Sequence, residues 1–429
     1  MSCAMDSLDS ILHFADQHRE DDPLTLLLQK VRYPGIDLSL VVQQLEGRRQ
    51  AREKWPSLAS CSAYFFPPKL NREQSSSEAT ARYKAGIAER LHPDTLADLT
   101  GGMGVDLLFL APLCRQADYF ELDAELCTIT EHNFKTLGLH HISCHNTDSL
   151  AFIAAYDHCY SLLYIDPARR DSQGRRVAAF EDCTPDLVTN LPMLLSHCEH
   201  LLIKASPMID LHLSLIQLGN VAEVHIVAVN NECKEILFLS GNATEPVIHC
   251  ANITATGTQL TIFTPSSEST ALPLYATDTG TYLYEPNAAL MKGGCYNLIS
   301  QNYRLHKLAR NTHLYTSENL VADFPGRIFE ILQPLSLNAK ATRKALSEGK
   351  AHVTTRNYPI SAAELQRQLK LREGGDLHII AATLGTRPKG WLCRRITVTP
   401  SDDPTPTVDR RKLENFSTVF SKKLTREFC

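Results

Sequence analysis

The stretch DLTGGMGVD, from Asp98 to Asp106, joins the apolar run TLADLT to the amphipathic stretch VDLLFLAPLC. Its glycines allow a tight turn and let the backbone come close to a ligand, because glycine has no Cβ atom. A loop of this kind between a strand and a helix is typical of nucleotide-binding α/β folds. Glu121 follows the next apolar run, ADYF, at a place where an acid can hydrogen-bond a ribose diol. The two features together predict a nucleotide site.

Short apolar runs alternate with amphipathic stretches on both sides of this loop, between residues 94 and 240. Strands that alternate with helices indicate crossover connections and a parallel sheet covered on both faces. The last two runs, VAEVHIVAVN and CKEILFLS, are separated only by about Asn231 and Glu232. This connection is too short for a helical crossover, so the last strand is predicted to be antiparallel. The predicted fold class is therefore α/β, with a doubly wound, seven-stranded Rossmann-like sheet.

The glycine loop departs from the dinucleotide-binding fingerprint, because Met103 and Val105 interrupt its spacing and the third glycine is missing. DLTGGMGVD, FELD, NTDS and IDPARR, in this order, resemble the motifs of class I S-adenosylmethionine-dependent methyltransferases. In that family the glycine loop passes the methionine part of the cofactor. The acid after strand two holds the ribose, and the acid after strand three contacts the adenine amine. The cofactor-binding residues that the resemblance implies are Asp98, Thr100, Gly101, Gly102, Gly104, Glu121, Leu122, Asp148 and Asp166.

A narrower resemblance covers nearly the whole chain. The segments EQSSSEATARYKA, YIDPARRD, YEPNAALMK and RKALSEGKAHVTTRNYPISAAELQ, and the basic sequence after them, are similar to a bacterial methyltransferase family with a ferredoxin-like middle domain and a C-terminal THUMP-like domain. Membership implies an enzyme that acts on RNA, by analogy to other enzymes that carry THUMP domains. The predicted domains are an N-terminal helical region (1–70), a methyltransferase domain (71–241), a ferredoxin-like α+β domain (242–332), a basic THUMP-like domain (333–400) and a C-terminal tail (401–429).

The segment LLYIDPARRD is predicted to leave strand four beside the cofactor's methyl group, at the ligand crevice of the sheet. Methyltransferases that act on exocyclic base nitrogens have Asn/Asp-Pro-Pro-aromatic here, and this chain has alanine and arginine in the last two places. Asp166 could orient an N–H donor or accept a proton. Arg169 or Arg170 could stack on a base, clamp an anion, or pair with Asp166. The predicted catalytic residues are Asp166, Pro167, Arg169 and Arg170.

The C-terminal part of the chain is basic, whereas the rest is acidic. Residues 333–429 contain 18 Lys and Arg against 9 Asp and Glu, and the preceding residues contain 25 against 39. A basic domain often binds a polyanion, since each phosphate that it neutralises releases a counterion. A solvated surface without a ligand would have the same charge, so composition leaves both interpretations open. The candidates for RNA contact are Arg343, Lys344, Arg356, Arg387, Lys389, Arg394 and Arg395.

Several classes of protein are not expected. No segment approaches the roughly 18 to 20 apolar residues needed to cross a bilayer, and no secretion signal is present, so a cytoplasmic protein without a membrane partner is predicted. The 13 cysteines are scattered, with no CxxC pair and no local His/Cys cluster, so no metal site is predicted. The sequence does not indicate which oligomeric state the protein has.

Three hypotheses about function follow. The first is an S-adenosylmethionine-dependent methyltransferase that methylates a base of RNA, tRNA or rRNA, by direct transfer, with the basic domain delivering RNA to Asp166. The second is a methyltransferase for a small anionic metabolite, in which Arg169 and Arg170 bind the anion and the terminal domain serves oligomerisation. The third is a non-catalytic RNA-binding protein that retains the cofactor fold, and the intact motif acids argue against it.

Overall fold

The computed structural model describes residues 2–29, 31–169, 180, 183–346 and 348–397. Arg170 and the predicted tail at 401–429 lie outside this part of the chain. The described residues form two compact units. The first contains the residues up to Asn220 together with Phe238–Gly241, and the second contains Val221–Leu237 and the residues from Asn242 onward.

The first unit begins with helices, as predicted. They are α1 (Ser2–Gln17), α2 (Pro23–Leu27), α3 (Leu38–Lys54), α4 (Pro56–Ala59) and α5 (Lys69–Gln74). The side chains of Asp22 and Asp37 accept hydrogen bonds from backbone N–H groups in the first turns of α2 and α3, which satisfies donors that a helix leaves free. Leu12, Val41 and Leu45 belong to one buried apolar cluster, so α1 and α3 pack together.

Alternating strands and helices follow. They are α6 (Glu78–Glu89), β1 (Thr95–Asp98), α7 (Val105–Leu110), a 3₁₀ turn (Ala111–Leu113), β2 (Gln116–Phe120), α8 (Ala124–Thr136), β3 (Ile142–His145), α9 (Ser149–Ala154), β4 (Tyr160–Ile165), β5 (Ala168–Arg169), β6 (Cys183–Thr184), α10 (Leu187–Ser196), β7 (Cys198–Ala205), α11 (Leu211–Leu218), β8 (Val221–Val229) and β9 (Glu232–Ser240). β1 pairs in parallel with β2 and β4, β2 with β3, and β4 with β7. The crossover helices that parallel strands require are present.

The remaining elements belong to the second unit, together with β8 and most of β9. They are β10 (Val247–Thr254), β11 (Gly257–Phe263), α12 (Pro265–Thr270), β12 (Leu274–Tyr275), β13 (Tyr282–Pro286), α13 (Ala288–Gly293), α14 (Asn297–Tyr303), β14 (His306–Ala309), β15 (Thr312–Ser317), β16 (Gly326–Pro334), α15 (Ala339–Ala345), β17 (His352–Arg356), α16 (Ala362–Leu369), β18 (Leu377–Leu384) and β19 (Arg387–Ile396).

The strand order of the larger sheet is β11-β10-β8-β9-β7-β4-β1-β2-β3. β8 and β9 are joined by Asn230 and Asn231, which both have positive φ, as in a two-residue hairpin turn. β9 is therefore antiparallel to β8, and the predicted α/β fold with an antiparallel last strand is confirmed. β10 pairs in parallel with β8 and antiparallel with β11, so two strands that were expected in the small α+β layer extend the larger sheet.

The second sheet has the order β12-β14-β15-β13-β16-β19-β18-β17. Leu283, Leu314, Phe329 and Trp391, from four of its strands, share one buried apolar cluster. The hydroxyl of Thr312 on β15 donates a hydrogen bond of 2.8 Å to the carbonyl of Thr383 on β18, and these strands are not neighbours in the sheet, so the sheet curls over on itself. We call this curled sheet the rolled sheet.

Within the described ranges, no helix is both long enough and apolar enough to span a bilayer.

Candidate active site

Two of the three glycines in the loop after β1, Gly101 and Gly104, are packed too closely to carry side chains. A Cβ atom at Gly101 would overlap the ring of Tyr119 on β2. Gly104 has φ +72°, and a Cβ atom there would lie 2.7 Å from Cζ of Phe134. The hydroxyl of Tyr119 donates a 2.5 Å hydrogen bond to the carbonyl of Gly102. These contacts hold the loop against β2 and α8. Because glycine has no Cβ atom, a ligand can also come close to the backbone of the loop.

The acid predicted to hold a ribose lies beside this loop. Oε2 of Glu121 accepts a hydrogen bond of 2.9 Å from the backbone N–H of Gly102, and Oε1 accepts one of 2.8 Å from Asp123. A carboxylate oxygen has two acceptor positions, so Glu121 keeps capacity for hydroxyl donors. The structure therefore brings together two of the predicted residues, Gly102 and Glu121, which are far apart in sequence.

The loop after β3 is anchored to the same place. Nδ2 of Asn146 donates hydrogen bonds to the carbonyls of Glu121 and Leu122, at 2.8 and 3.0 Å. The carboxylate of Asp148 accepts from the N–H of Leu150 at 2.9 Å and begins α9. The side chain of Leu122 is 72% exposed, which leaves an apolar surface open next to the acid. Sequence reasoning did not identify Asn146, although the NTDS motif contains it.

Asp98 ends β1 beneath the loop, where it is only 2% exposed. Its carboxyl accepts a hydrogen bond of 3.1 Å from the N–H of Thr100. Burial raises the pKa of Asp98 to about 8, and the neighbouring carboxylates of Asp106 and Asp166 contribute in the same direction. Burial therefore favours the protonated form of Asp98, and a cationic ligand group beside it would favour the ionised form.

A second buried acid, Asp106, stabilises the other end of the loop. Its Oδ2 accepts hydrogen bonds from the hydroxyls of Ser76, at 2.7 Å, and Tyr164, at 2.6 Å. Nζ of Lys84, which is fully buried, lies 3.2 Å from its Oδ1. Burial alone would raise the pKa of Asp106, but the ammonium groups of Lys84 and Lys204 lower it. Ser76 and Lys84 both belong to the segment EQSSSEATARYKA, so this motif contacts the acid at the end of the glycine loop.

Asp166 follows β4 and faces a lysine that the sequence did not indicate. Its backbone N–H donates to Oγ1 of Thr100 at 2.7 Å, and its Oδ2 lies 2.5 Å from Nζ of Lys204. Ile165 is in register with Ile203 on the neighbouring strand β7, which places the two following residues side by side. The sequence feature that could have identified Lys204 is a charged residue at the carboxyl end of an apolar parallel strand.

The two arginines of the predicted catalytic segment are described only in part. The backbone of Arg169, after Pro167 and Ala168, pairs with Cys183 in the short ladder between β5 and β6. The side chain of Arg169 and all of Arg170 lie outside the described part of the chain. Their three possible roles therefore stay open as predictions.

The basic residues nominated for RNA contact differ in their surroundings. Those exposed to solvent are Arg343 and Lys344 on α15, and Arg387, Lys389, Arg394 and Arg395 on β19. Arg394 lies 3.7 Å from a carboxylate oxygen of Glu330. Nη2 of Arg356 lies 2.5 Å from Oε1 of the buried Glu285, so this arginine has a partner within the fold.

The chain is similar over almost its full length to the crystal structure of a Porphyromonas gingivalis W83 protein described as a methyltransferase. The identity is 31%, the match covers 91% of this chain and 98% of that one, and the TM-score is 0.79. Family models for a ferredoxin-like domain and a THUMP domain-like segment match residues 282–325 and 326–395. The chain belongs to this family of S-adenosylmethionine-dependent methyltransferases. No curated protein matches it.

Other solved structures share less with this methyltransferase. An rRNA methylase from Streptococcus thermophilus is 14% identical, with 37% of this chain and 92% of that chain covered and a TM-score of 0.29. A Streptococcus mutans protein in complex with S-adenosylhomocysteine is 13% identical, with 37% and 94% covered and the same TM-score. Similarity at this level carries no functional argument.

The loop geometry of the methyltransferase suits its cofactor, S-adenosylmethionine. The cofactor has a ribose diol, an adenine ring and an α-ammonium group. The chain offers a carboxylate with spare acceptor positions (Glu121), an exposed apolar side chain (Leu122) and a buried carboxyl that a cation would ionise (Asp98). The residues present therefore fit the group that the family implies.

Proposed function

We propose that this methyltransferase methylates a base of RNA, tRNA or rRNA, by direct methyl transfer. The observation that carries the proposal is the THUMP-like segment at 326–395, together with the exposed basic side chains that it presents. The link from this type of domain to RNA is an analogy between families. Positive charge on that segment is the independent physical support, because RNA binding relies on neutralised phosphates.

The cofactor residues are assigned in the proposal from their positions at the sheet edge. Glu121 accepts hydrogen bonds from the ribose hydroxyls, Asp98 receives the ammonium group, and Asp148 faces the adenine amine. The glycines let the backbone lie against the ligand, and the hydroxyl of Thr100 holds the backbone of Asp166. S-adenosylmethionine, when bound, supplies an electrophilic methyl group, so the protein mainly has to align the reactants.

Asp166 is proposed to hold the amine of the target base. An ionised carboxylate only accepts hydrogen bonds, so one oxygen can receive an N–H of the base while the other stays with Lys204. The pairing fixes the orientation of the carboxylate. As the methyl group is transferred, the base nitrogen gains positive charge, and Asp166 is placed to take the proton that leaves it. Pro167 restricts the backbone next to this acid.

The substrate class can be tested with labelled S-adenosylmethionine and cell extract. We expect the label to enter RNA, and digestion of the extract with RNase beforehand should abolish incorporation. Nucleoside mass spectrometry of RNA from cells with and without the gene should then show one methylated nucleoside that depends on the gene. Equal labelling in RNase-treated extract would contradict the RNA substrate and favour the small anionic metabolite.

RNA binding by the basic segment can be tested by its dependence on salt. Each phosphate contacted on a single strand should steepen the fall of log affinity with log salt by about 0.7. The double variant Arg387→Ala/Lys389→Ala should lower this slope, because both side chains are exposed at the start of β19. The control is Arg115→Ala/Lys135→Ala, which removes two exposed cations from the first unit. Equal slopes for both double variants would argue against the basic segment as the RNA-binding surface.

A further inference from the structure

Two histidines and a glutamate come together on the strands β8 and β10 of the second unit. Glu223 and His225 are two residues apart on β8, so their side chains lie on the same face. His249 on β10 is in register with His225. Local spacing in the sequence could not indicate this cluster, because His249 reaches it only through the pairing of the two strands.

The ligand atoms of these side chains lie close enough to share one ion. Nε2 of His225 lies 2.9 Å from Oε2 of Glu223, and Nε2 of His249 lies 3.7 Å from the same oxygen. With bonds of about 2.0 to 2.2 Å, two ligands of a tetrahedral zinc ion are separated by roughly 3.4 Å. These two separations lie on either side of this value, and all three ligand atoms lie within 4.8 Å of one another. Among the described residues, this is the one group of three or more metal-binding side chains with such spacing.

The surroundings suit a partly buried site with access from solvent. The side chain of His225 is 3% exposed, and those of His249 and Glu223 are 14% and 21% exposed. Two imidazoles and a carboxylate are ligands for zinc and related first-row metals, whereas calcium and magnesium prefer oxygen atoms alone. The imidazole rings are stacked, with centroids 4.3 Å apart and an angle of 20° between them. Since a nitrogen lone pair lies in the plane of its ring, one ring has to rotate as the ion binds.

We propose that Glu223, His225 and His249 bind a divalent transition-metal ion of the zinc type, with a fourth position left for water. The ion would connect β8 to β10. This site goes beyond the methyl transfer proposed above, which needs no metal, and its test does not depend on activity.

The test is a titration of the full-length chain with Co²⁺, which reports tetrahedral coordination through its visible d–d absorption. We expect one Co²⁺ per chain, without the sulfur charge-transfer band that cysteine ligands would produce. His249→Asn and Glu223→Gln should each weaken Co²⁺ binding by more than about tenfold, since each removes or weakens a direct ligand. Unfolding curves of both variants show whether they remain folded.

A matched control exists in the same unit. His352 and His378 are also in register on parallel strands and stacked, with centroids 5.0 Å apart, but the carboxylate of Glu373 lies 4.0 Å from Nδ1 of His352. His352→Asn should bind Co²⁺ as the unaltered chain does. The proposal is overturned if the unaltered chain shows no tetrahedral Co²⁺ spectrum. It is also overturned if His249→Asn and Glu223→Gln both keep that spectrum, or if His352→Asn loses it.

Discussion

At the residue scale, two acids that lie under the same loop, Asp98 and Asp106, differ in the direction in which their pKa values are shifted. Both are buried, but Asp106 has the ammonium of Lys84 at 3.2 Å and two hydroxyl donors, whereas Asp98 has a single backbone N–H donor. Burial therefore dominates at Asp98 and raises its pKa to about 8. Environments that push the pKa values of nearby acids apart are typical of functional sites.

Cofactor affinity should depend on pH through Asp98. With a pKa of about 8, Asp98 is protonated in most free chains between pH 6 and 7, and a bound ammonium group favours the ionised form, so binding releases a proton. The dissociation constant of S-adenosylmethionine should therefore fall as pH rises from about 6 to 7.5, by up to about tenfold per unit. Calorimetry in buffers of different ionisation enthalpy measures both the dissociation constant and the number of protons released. Asp98→Asn should remove the proton release, and an affinity of the unaltered chain that is independent of pH would contradict the assignment.

Asp166→Ala should lower the rate of methyl transfer by about 10² to 10⁴-fold, because it removes the acceptor for the amine proton. Cofactor binding should persist, since Thr100 contacts the backbone of this residue and not its side chain. Lys204→Met should lower the rate by a smaller factor, because the carboxylate loses its fixed orientation. The control is Asp94→Ala, at the opposite end of β1, where the acid pairs with Arg115. Turnover by Asp166→Ala at the rate of this control would count against the proposed mechanism.

The sequence indicated the acids of the site but not the lysines that surround them. Asp98, Glu121 and Asp166 each follow an apolar run, and the carboxyl ends of parallel strands are where ligands bind. Lys84 lies inside a helix, where a single lysine is usually exposed, and Lys204 lies at the carboxyl end of a strand, where its charge was a signal but its partner could not be identified. Their burial depends on partners that are distant in sequence, and only the fold shows those partners.

At the scale of elements, the glycine loop shows how packing and backbone conformation act together. Gly104 has a positive φ and no room for a side chain beside Phe134 and Thr130. Gly138, after α8, has a similar φ of +74°, but no heavy atom lies within 4 Å of its Cβ position. The two glycines therefore share the backbone requirement and differ in packing.

Gly104→Ala should destabilise the chain more than Gly138→Ala. Both changes place an alanine in the left-handed region, which costs about 1 to 2 kcal/mol. Gly104→Ala adds overpacking against α8, and we expect a further loss of about 1 to 3 kcal/mol in the free energy of unfolding. Urea denaturation measures the difference. Equal losses for the two variants would show that the loop moves away from α8 without cost.

The strands β10 and β11 show which part of the fold could not be predicted. Their apolar character indicated strands correctly, but the alternation of side chains does not identify a partner strand. The paired residues of β10 and β8 are more than a dozen positions apart in sequence. Their pairing also depends on which edge of the sheet is open after the hairpin of β8 and β9. Helix and strand types were therefore predictable, and the number of strands in the sheet was not.

At the scale of the whole molecule, the segments matched by two family models form one structure. β13 to β15 belong to the ferredoxin-like match and β16 to β19 to the THUMP-like match, and all of them are strands of the rolled sheet. Glu285 on β13 is buried, and its carboxylate is paired with Arg327 on β16 and Arg356 on β17. The predicted boundary at residues 332 and 333 thus falls within a strand of this sheet.

Glu285→Ala should destabilise the second unit. It removes the shared buried carboxylate of two arginines that are themselves 29% and 38% exposed. Because water can partly solvate both guanidinium groups, we expect a loss of about 1 to 3 kcal/mol, less than for a fully buried pair. The control is Glu330→Ala, which removes an exposed partner of Arg394 and should cost less than about 1 kcal/mol. Chemical denaturation followed by the fluorescence of Trp391, with Trp55→Phe as background, reports this unit. Similar losses for both variants would contradict the structural role of Glu285.

The rolled sheet also has a consequence for the newly made chain. Its last strand, β19, lies between β16 and β18, so the interior of the sheet is completed only when the C-terminal end of the described chain has been synthesised. Ribosomes add about 5 to 20 residues per second, so roughly 5 to 20 s pass between the synthesis of Leu283 and that of Trp391, which belongs to the same apolar cluster. During this interval the apolar faces of β13 to β16 have no cover. Aggregation and chaperone binding should therefore be greatest while the hundred or so residues between Leu283 and Trp391 are being translated.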